Sequence, residues 1–205
     1  MRAKKFFGQH FLRDVTVIKR IVDAAEVEGM AVLEIGPGEG VVTAELARGA
    51  KRVIAIDIDE EAIATTRRRV PATVELVCDD VLHPSNGIDM RSHFANTDFV
   101  LVGNLPYNIT SDLLRWMLAS RPNPVWAVIM VQEEVGERMM AGAGDLSLLG
   151  LMVQVYAKVT MVARVPRGAF VPAPKVDSMV VRLDIYPHQE MIARGINDPE
   201  KLLRF

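Results

Sequence analysis

Five short apolar runs recur along the chain, and each ends on glycine, an acid or an amide. They are "AVLEIG" from Ala31, "RVIAID" from Arg52, "TVELVCD" from Thr73, "DFVLVGN" from Asp98 and "VWAVIMVQ" from Val125. Helix-like spacing fills the stretches between them. Runs that are apolar throughout, not alternating, mark strands buried on both faces, and strands that take turns with helices build a mostly parallel sheet. Two more runs, "TMVARV" and "SMVVRLDIY", complete the pattern. Only the Pro-rich loop 166–177 joins them, with no room for a crossover helix, so they should pair antiparallel. The expected fold class is therefore α/β: a mostly parallel seven-stranded sheet, helices on both faces and an antiparallel closing strand.

The helices follow from spacing. Val17, Ile18, Ile21, Val22 and Ala25 share one face of a helix from Asp14 to Val27, with Asp14 as its cap. Further helices are expected over Val41–Arg48, Glu60–Arg69, Thr110–Ser120, Glu133–Ala141 and Ser147–Ala157, with "MMAGAGD" as a mobile loop. After Tyr186 the pattern fades. Asp198 and Pro199 then read as the cap and first residue of a helix that stops at Phe205.

With 205 residues, half of them apolar, one α/β domain can bury a sizeable core. The formal net charge of −2 carries no global nucleic-acid signature, so any such surface must be local. Cys78 is the only cysteine, which excludes an internal disulfide framework; it is expected as a small buried hydrophobe in a reducing compartment. No apolar run reaches the roughly 18 residues of a membrane span, and the basic N-terminus lacks the apolar core of a signal peptide. The expectation is a cytoplasmic protein. His10, His83, His93 and His188 show no metal-ligand spacing with Cys78, so no metal site is expected.

The strand ends carry the chemistry. "EIGPGEG" joins the first run to a helix, and Gly36 and Gly38 would let backbone approach a ligand closely. A dinucleotide fingerprint needs glycine at position 41, where Val41 stands. Glu34 would repel a diphosphate and attract a cation. Asp57 ends the second run, where a carboxylate can accept both ribose hydroxyls. Asp79 and Asp80 end the third, and Asp80 is the choice for an adenine amine. Ile58 and Val81, which follow these acids, are also expected at the ligand, with Glu34 and, from the fourth strand end, Asn104. A tight turn and solvated strand-end acids are the plainer alternatives, but three successive strand ends converge on one adenosine-bearing ligand, best matched by S-adenosylmethionine. At the fourth strand end stand Asn104, Leu105, Pro106 and Tyr107. The Asn104 amide oxygen and the Leu105 carbonyl can hold both hydrogens of an exocyclic amine, Pro106 fixes the chain direction, and Tyr107 offers a flat face.

Together "FFGQHFL", "EIGPGEG", "GNLPYNIT" and "FVPAPKVDS" resemble, in order and approximate spacing, the ribosomal RNA adenine N6-dimethyltransferases, and most closely their small-subunit, kasugamycin-sensitivity branch. The likeness runs from residue 1 to about 187. It implies a Rossmann-like methyltransferase fold, S-adenosylmethionine as donor, and two methylations of one adenine N6 in ribosomal RNA of a small-subunit precursor particle, by a monomer. It implies that Gln9, His10 and Leu12 close the methionine end of the cofactor site, with Gly36 and Gly38 beneath, Asp57 on the ribose and Asp80 on the adenine. It also implies that Asn104, Leu105 and Tyr107 hold the target base, with Phe170 stacked on its other face. Lys175 and a basic group of Arg2, Lys4, Lys5 and Arg13 are candidate RNA contacts; Arg67, Arg68 and Arg69 read better as a solvated helix face. Many family members carry a Tyr-Gly-Arg-Leu-Ser-like stretch where "LSLLGL" stands here, so an arginine contact there is absent or moved. Family members also continue into a C-terminal helical domain. Residues 1–187 are thus expected as the catalytic domain, and 188–205 as a linker and the start of that helical domain. The rivals are the large-subunit methylases of erythromycin resistance, a non-catalytic assembly or transcription factor on the same scaffold, and, more remotely, a dehydrogenase.

Overall fold

The computed structural model describes residues 9–85, 89–107, 109–119 and 122–196. Its strands are β1 (Phe11–Leu12), β2 (Ala31–Ile35), β3 (Arg52–Asp57), β4 (Glu75–Cys78), β5 (Phe99–Asn104), β6 (Trp126–Gln132), β7 (Ala157–Val165), β8 (Phe170–Val171) and β9 (Ser178–Ile185). Its helices are α1 (Val15–Ala25), α2 (Val41–Leu46), α3 (Glu60–Arg67), α4 (Thr110–Ala119), α5 (Glu133–Met140), α6 (Leu148–Tyr156) and α7 (His188–Ala193).

Seven strands form one sheet in the order β4-β3-β2-β5-β6-β9-β7. The first five in that order are parallel, while β9 runs antiparallel to both β6 and β7. Strand order reverses between β2 and β5. At such a switch point the two connections leave toward opposite faces and open a crevice at the carboxyl ends of the strands.

The side-chain period of two sorts each strand between two apolar layers. Leu33, Ile35, Ile54, Ile56, Leu101 and Ile129 face one layer, with Leu113 and Leu114 of α4 and Val153 and Tyr156 of α6. Val32, Val53, Val100, Val102 and Val128 face the other, with Val17, Ile18 and Ile21 of α1 and Leu46 of α2. Burying each such side chain contributes about 1.5–3 kcal/mol, which is why uninterrupted apolar runs select the centre of the sheet.

Local chemistry sets the helix ends. Asp14 accepts hydrogen bonds from the Thr16 and Val17 N–H groups, and Ser147 caps α6 through the Gly150 N–H. The last turn of α1 is tied to the sheet: the Trp126 indole donates to the Ala25 carbonyl and Arg182 to the Ala24 carbonyl, both at 2.8 Å.

Three features differ from the sequence expectation. The loop 166–177 is not featureless: it holds a 3₁₀ turn, Arg167–Ala169, and β8, which pairs antiparallel with β1. Cys78 is exposed at the end of the edge strand β4, not buried, because no neighbouring strand covers that side. Residues 188–196 do not leave the domain as a bare linker; α7 packs Met191, fully buried, into the α4–α6 layer. The expected helix at 198–205 lies outside the described residues, as do Arg2, Lys4, Lys5, Phe6, Phe7 and Gly8. No helix among the described residues is long and apolar enough to cross a membrane.

Candidate active site

A cavity of about 490 Å³ opens at the switch point, over the carboxyl ends of β2, β3 and β5. Every residue expected to bind the cofactor lines it: Gln9, His10, Leu12, Glu34, Gly36, Gly38, Asp57, Ile58, Asp80, Val81 and Asn104. Leu105, Pro106 and Tyr107 line it too.

The floor is the β2–α2 turn. Gly38 has φ 57°, and a Cβ there would stand 3.3 Å from the Phe11 ring. Gly40, at φ 74°, is tighter still, with Thr66 Cγ2 2.9 Å from an added Cβ. Thr66 also donates to the Gly38 carbonyl at 3.1 Å, so α3 holds the turn from behind. Only glycine combines that φ with that proximity.

The acids behave differently from one another. Glu34 shares the face of Val32, toward α2. It is 3 % exposed, and its Oε2 has no hydrogen-bond partner. Burial pushes its carboxyl up to about 7, with Asp57 adding repulsion and Thr43 opposing. Asp57 is also raised, mainly by burial, although its carboxylate accepts from the Asp59 N–H at 2.9 Å. Asp59 points away from the ligand space: it caps α3 through the Glu61 N–H and accepts from the Gln9 side chain at 2.7 Å. Asp79 turns outward to the Ser85 N–H, whereas Asp80 lines the cavity and accepts from the Leu82 N–H at 2.9 Å.

The roof is the N-terminal segment, Gln9 to Leu12. Asn104 Nδ2 donates to the His10 carbonyl at 3.3 Å, and His10 Nδ1 lies 2.8 Å from the Pro172 carbonyl. Phe11 and Leu12 pair with Val171 and Phe170, and the Arg13 N–H reaches the Ala169 carbonyl. Two distant segments, each only two residues of strand, thus close the cavity by pairing with each other.

At the β5 end, the Pro106 carbonyl accepts from the Ile109 N–H and the Thr110 hydroxyl, which starts α4 and sets the turn. With Asn104 Nδ2 committed to His10, Oδ1 is the amide atom left for an incoming donor. The Tyr107 hydroxyl lies 2.8 Å from Ser178 Oγ, and its ring faces His10 with centroids 6.1 Å apart.

One expected site residue is placed elsewhere. Phe170 is buried against Leu12 and Ala169 in the α1-side layer and does not line the cavity. Its pairing with Leu12 turns the ring inward, so the stacking face expected of it is not presented. Arg13 is committed to Glu39 at 2.7 Å, Arg67 reaches the Val74 carbonyl, and Lys175 is exposed. Two positions at the site escaped the sequence reading: Ser178 under Tyr107 and Thr66 behind the glycine turn. Ser178 had a signal, since it closes "FVPAPKVDS"; Thr66 had none. Among the described residues no group of His, Cys, Asp and Glu could hold a metal ion.

A family profile described as ribosomal RNA adenine dimethylase matches residues 1–197. A Dehalococcoides mccartyi protein named ribosomal RNA small subunit methyltransferase A is 37% identical over 203 residues, 98% of this chain and 68% of its own. The chain spans about two thirds of the length of such curated relatives. A crystal structure of a dimethyladenosine transferase from Plasmodium falciparum superposes with a TM-score of 0.80 at 34% identity, covering 95% of this chain and 70% of that one. The 23S rRNA methyltransferase ErmE superposes with 0.75 at 30%, covering 94% and 77%. With a Rossmann-like methyltransferase fold and a profile match over nearly its whole length, the chain belongs to the ribosomal RNA adenine dimethylase family.

Proposed function

We propose that this chain is an S-adenosylmethionine-dependent methyltransferase that twice methylates N6 of an adenine in small-subunit (16S) ribosomal RNA, in a precursor particle, in the cytoplasm. The observation that carries this reading is the meeting of Asn104, Leu105, Pro106 and Tyr107 with an acidic, glycine-floored cavity at one switch point. The residues present fit the donor. The unpartnered Glu34 Oε2 suits a cationic ligand, and the glycine turn leaves room that side chains would fill. Asp57 would take the ribose hydroxyls, Asp80 the adenine amine, and Gln9, His10 and Leu12 the methionine end.

When bound, S-adenosylmethionine supplies an electrophilic methyl group on sulfonium. The chain's part is positioning. Asn104 Oδ1 and the Leu105 carbonyl accept the two N6 hydrogens, which favours a pyramidal nitrogen whose lone pair faces the methyl. Tyr107 holds one face of a base turned out of its stack. With the donor bound, these residues would present N6 to its methyl group, and the N6 proton would leave to water. Asparagine serves as acceptor and not as base. Residues 1–187 form the catalytic domain in this reading, with residues beyond 187 leading toward particle docking.

Asn104→Ala should lower methyl transfer at least a hundredfold while leaving S-adenosylmethionine affinity within threefold. Full activity of that variant would end the assigned role. Asp57→Ala should instead weaken cofactor binding by calorimetry. The likeness to ErmE favours a second reading, large-subunit RNA as substrate. Labelled donor offered to undermethylated 30S particles, 50S particles and naked 23S RNA separates the two, with dimethyladenosine in the 30S arm expected.

A further inference from the structure

The cavity wall is rich in acids, and its bases among the described residues are His10, whose Nδ1 lies 2.8 Å from the Pro172 carbonyl, and His83, whose Nδ1 faces Asp80 Oδ2 at 3.4 Å. Glu34, Glu39, Asp57, Asp80 and Asp112 line it, and among the described residues no lysine or arginine does. Most of these acids are provided for. Glu39 is paired with Arg13, which sits outside the lining, Asp57 accepts from the Asp59 N–H, and Asp80 accepts from the Leu82 N–H. Glu34 is the exception, because it is buried, lines the cavity and has an oxygen with no partner. A buried carboxylate left so is costly when ionised.

Among the groups around it no positive charge offsets that cost, and the Thr43 hydroxyl opposes it only in part. From β3 comes Asp57, a like charge. From α2 comes the neutral Thr43 hydroxyl, itself buried. On β5 its register partner is Val102, and Asn104 at the strand end is neutral. From α1 only the apolar Ile21 reaches the cavity.

We infer that Glu34 is the charge-selecting residue of this cavity: it favours a nucleoside bearing a sulfonium cation over the neutral thioether left after methyl transfer, and it sheds a proton when the cation binds. This rests on the methyltransferase reading above. In the empty cavity the carboxyl is about half neutral at pH 7 and largely neutral below it, consistent with a value raised to about 7. A cation in the same low-dielectric space stabilises the ionised form, so its arrival expels the proton to water. Methyl transfer carries the positive charge away with the methyl group, and the carboxyl takes a proton back. The thioether then gains nothing from Glu34. Two methylations in succession require the product to give way to fresh donor between rounds, and this difference in affinity favours that exchange.

The test is calorimetry on the full chain with S-adenosylmethionine and with S-adenosylhomocysteine, in two buffers of different ionisation heat, at pH 6, 7 and 8. The ligands share their amino and carboxyl ends, so their difference isolates the sulfonium. Expected is release of about 0.9 proton at pH 6, falling to about 0.1 at pH 8, for the sulfonium alone. The donor-to-product affinity ratio should rise about tenfold over the same range. In Glu34→Gln both effects should vanish while both ligands still bind. Equal proton release for the two ligands, or a ratio independent of pH in the unaltered protein, overturns the proposal without needing the variant to fold. Binding of neither ligand at any pH would overturn the methyltransferase reading itself, and the proposal with it.

Discussion

The contact between Tyr107 and Ser178 offers a test that reaches from packing to chemistry. Ser178 begins β9, is fully buried and pairs with Gln132 and Val165, so its hydroxyl cannot turn to water. Tyr107 is half-buried, and burial raises its phenol above the usual value, so the hydroxyl stays protonated across the neutral range. Their 2.8 Å bond is one neutral side-chain pair, worth about 1 kcal/mol net. Tyr107→Phe strands the buried serine hydroxyl and should cost about 1–3 kcal/mol; Ser178→Ala leaves a phenol that can reach solvent and should cost about 0.5–1.5 kcal/mol. The double variant should cost less than the sum, with a coupling of about 1 kcal/mol in urea midpoints of the four proteins. In methyl transfer both single variants should lower kcat about tenfold, because the ring loses its anchor, while cofactor affinity holds. Strictly additive stabilities would show that the two hydroxyls do not interact. Cofactor affinity falling in step with kcat would show a general collapse of the site instead of a misplaced ring.

Glu34 also bears on the stability of the ligand-free protein. Its folded value, raised from 4.5 to about 7, means the folded state binds more protons than the unfolded one, so stability falls as pH rises through that window, by about 3 kcal/mol. Glu34→Gln should flatten the difference between pH 5 and pH 8 in urea titrations, and an unchanged slope would refute the assignment. Gly40→Ala should destabilise by about 1–3 kcal/mol, since it combines φ 74° with a Cβ 2.9 Å from Thr66 Cγ2; an unchanged melting temperature would refute the tight turn. The exposed Cys78 should react with a thiol reagent without denaturant, but slowly at pH 7. Partial burial and the charges of Glu60, Asp57, Asp59 and Asp79 raise its thiol above the usual value, and reaction only after unfolding would contradict its exposure.

The features legible in the chain were those written in short-range pattern. Apolar runs of strand length fixed seven strands, and helical spacing fixed α1 through α6, because the periods of helix and strand are local properties of the backbone. Polar residues at run ends then foretold a shared cavity. In a parallel sheet all carboxyl ends lie on one side, so Glu34, Asp57, Asp80 and Asn104 had to meet once the strands were parallel.

Long-range pairing was not legible. A two-residue strand has no period, so nothing in "FL" or "FV" announced that β1 and β8 would join and roof the cavity. That pairing turned Phe170 inward, away from the base it was expected to hold, and brought His10 over Asn104 and opposite Tyr107. Glu34 could be read as an acid beside a ligand. That one of its oxygens lacks a partner depends on what α2, β3 and β5 place around it. The sequence by itself determined which elements form and which end of the sheet is reactive, since both follow from local period and strand direction. Only the tertiary structure decided which side chains are paired, stranded or turned away there, because that depends on segments far apart in the chain arriving within a few ångströms of one another.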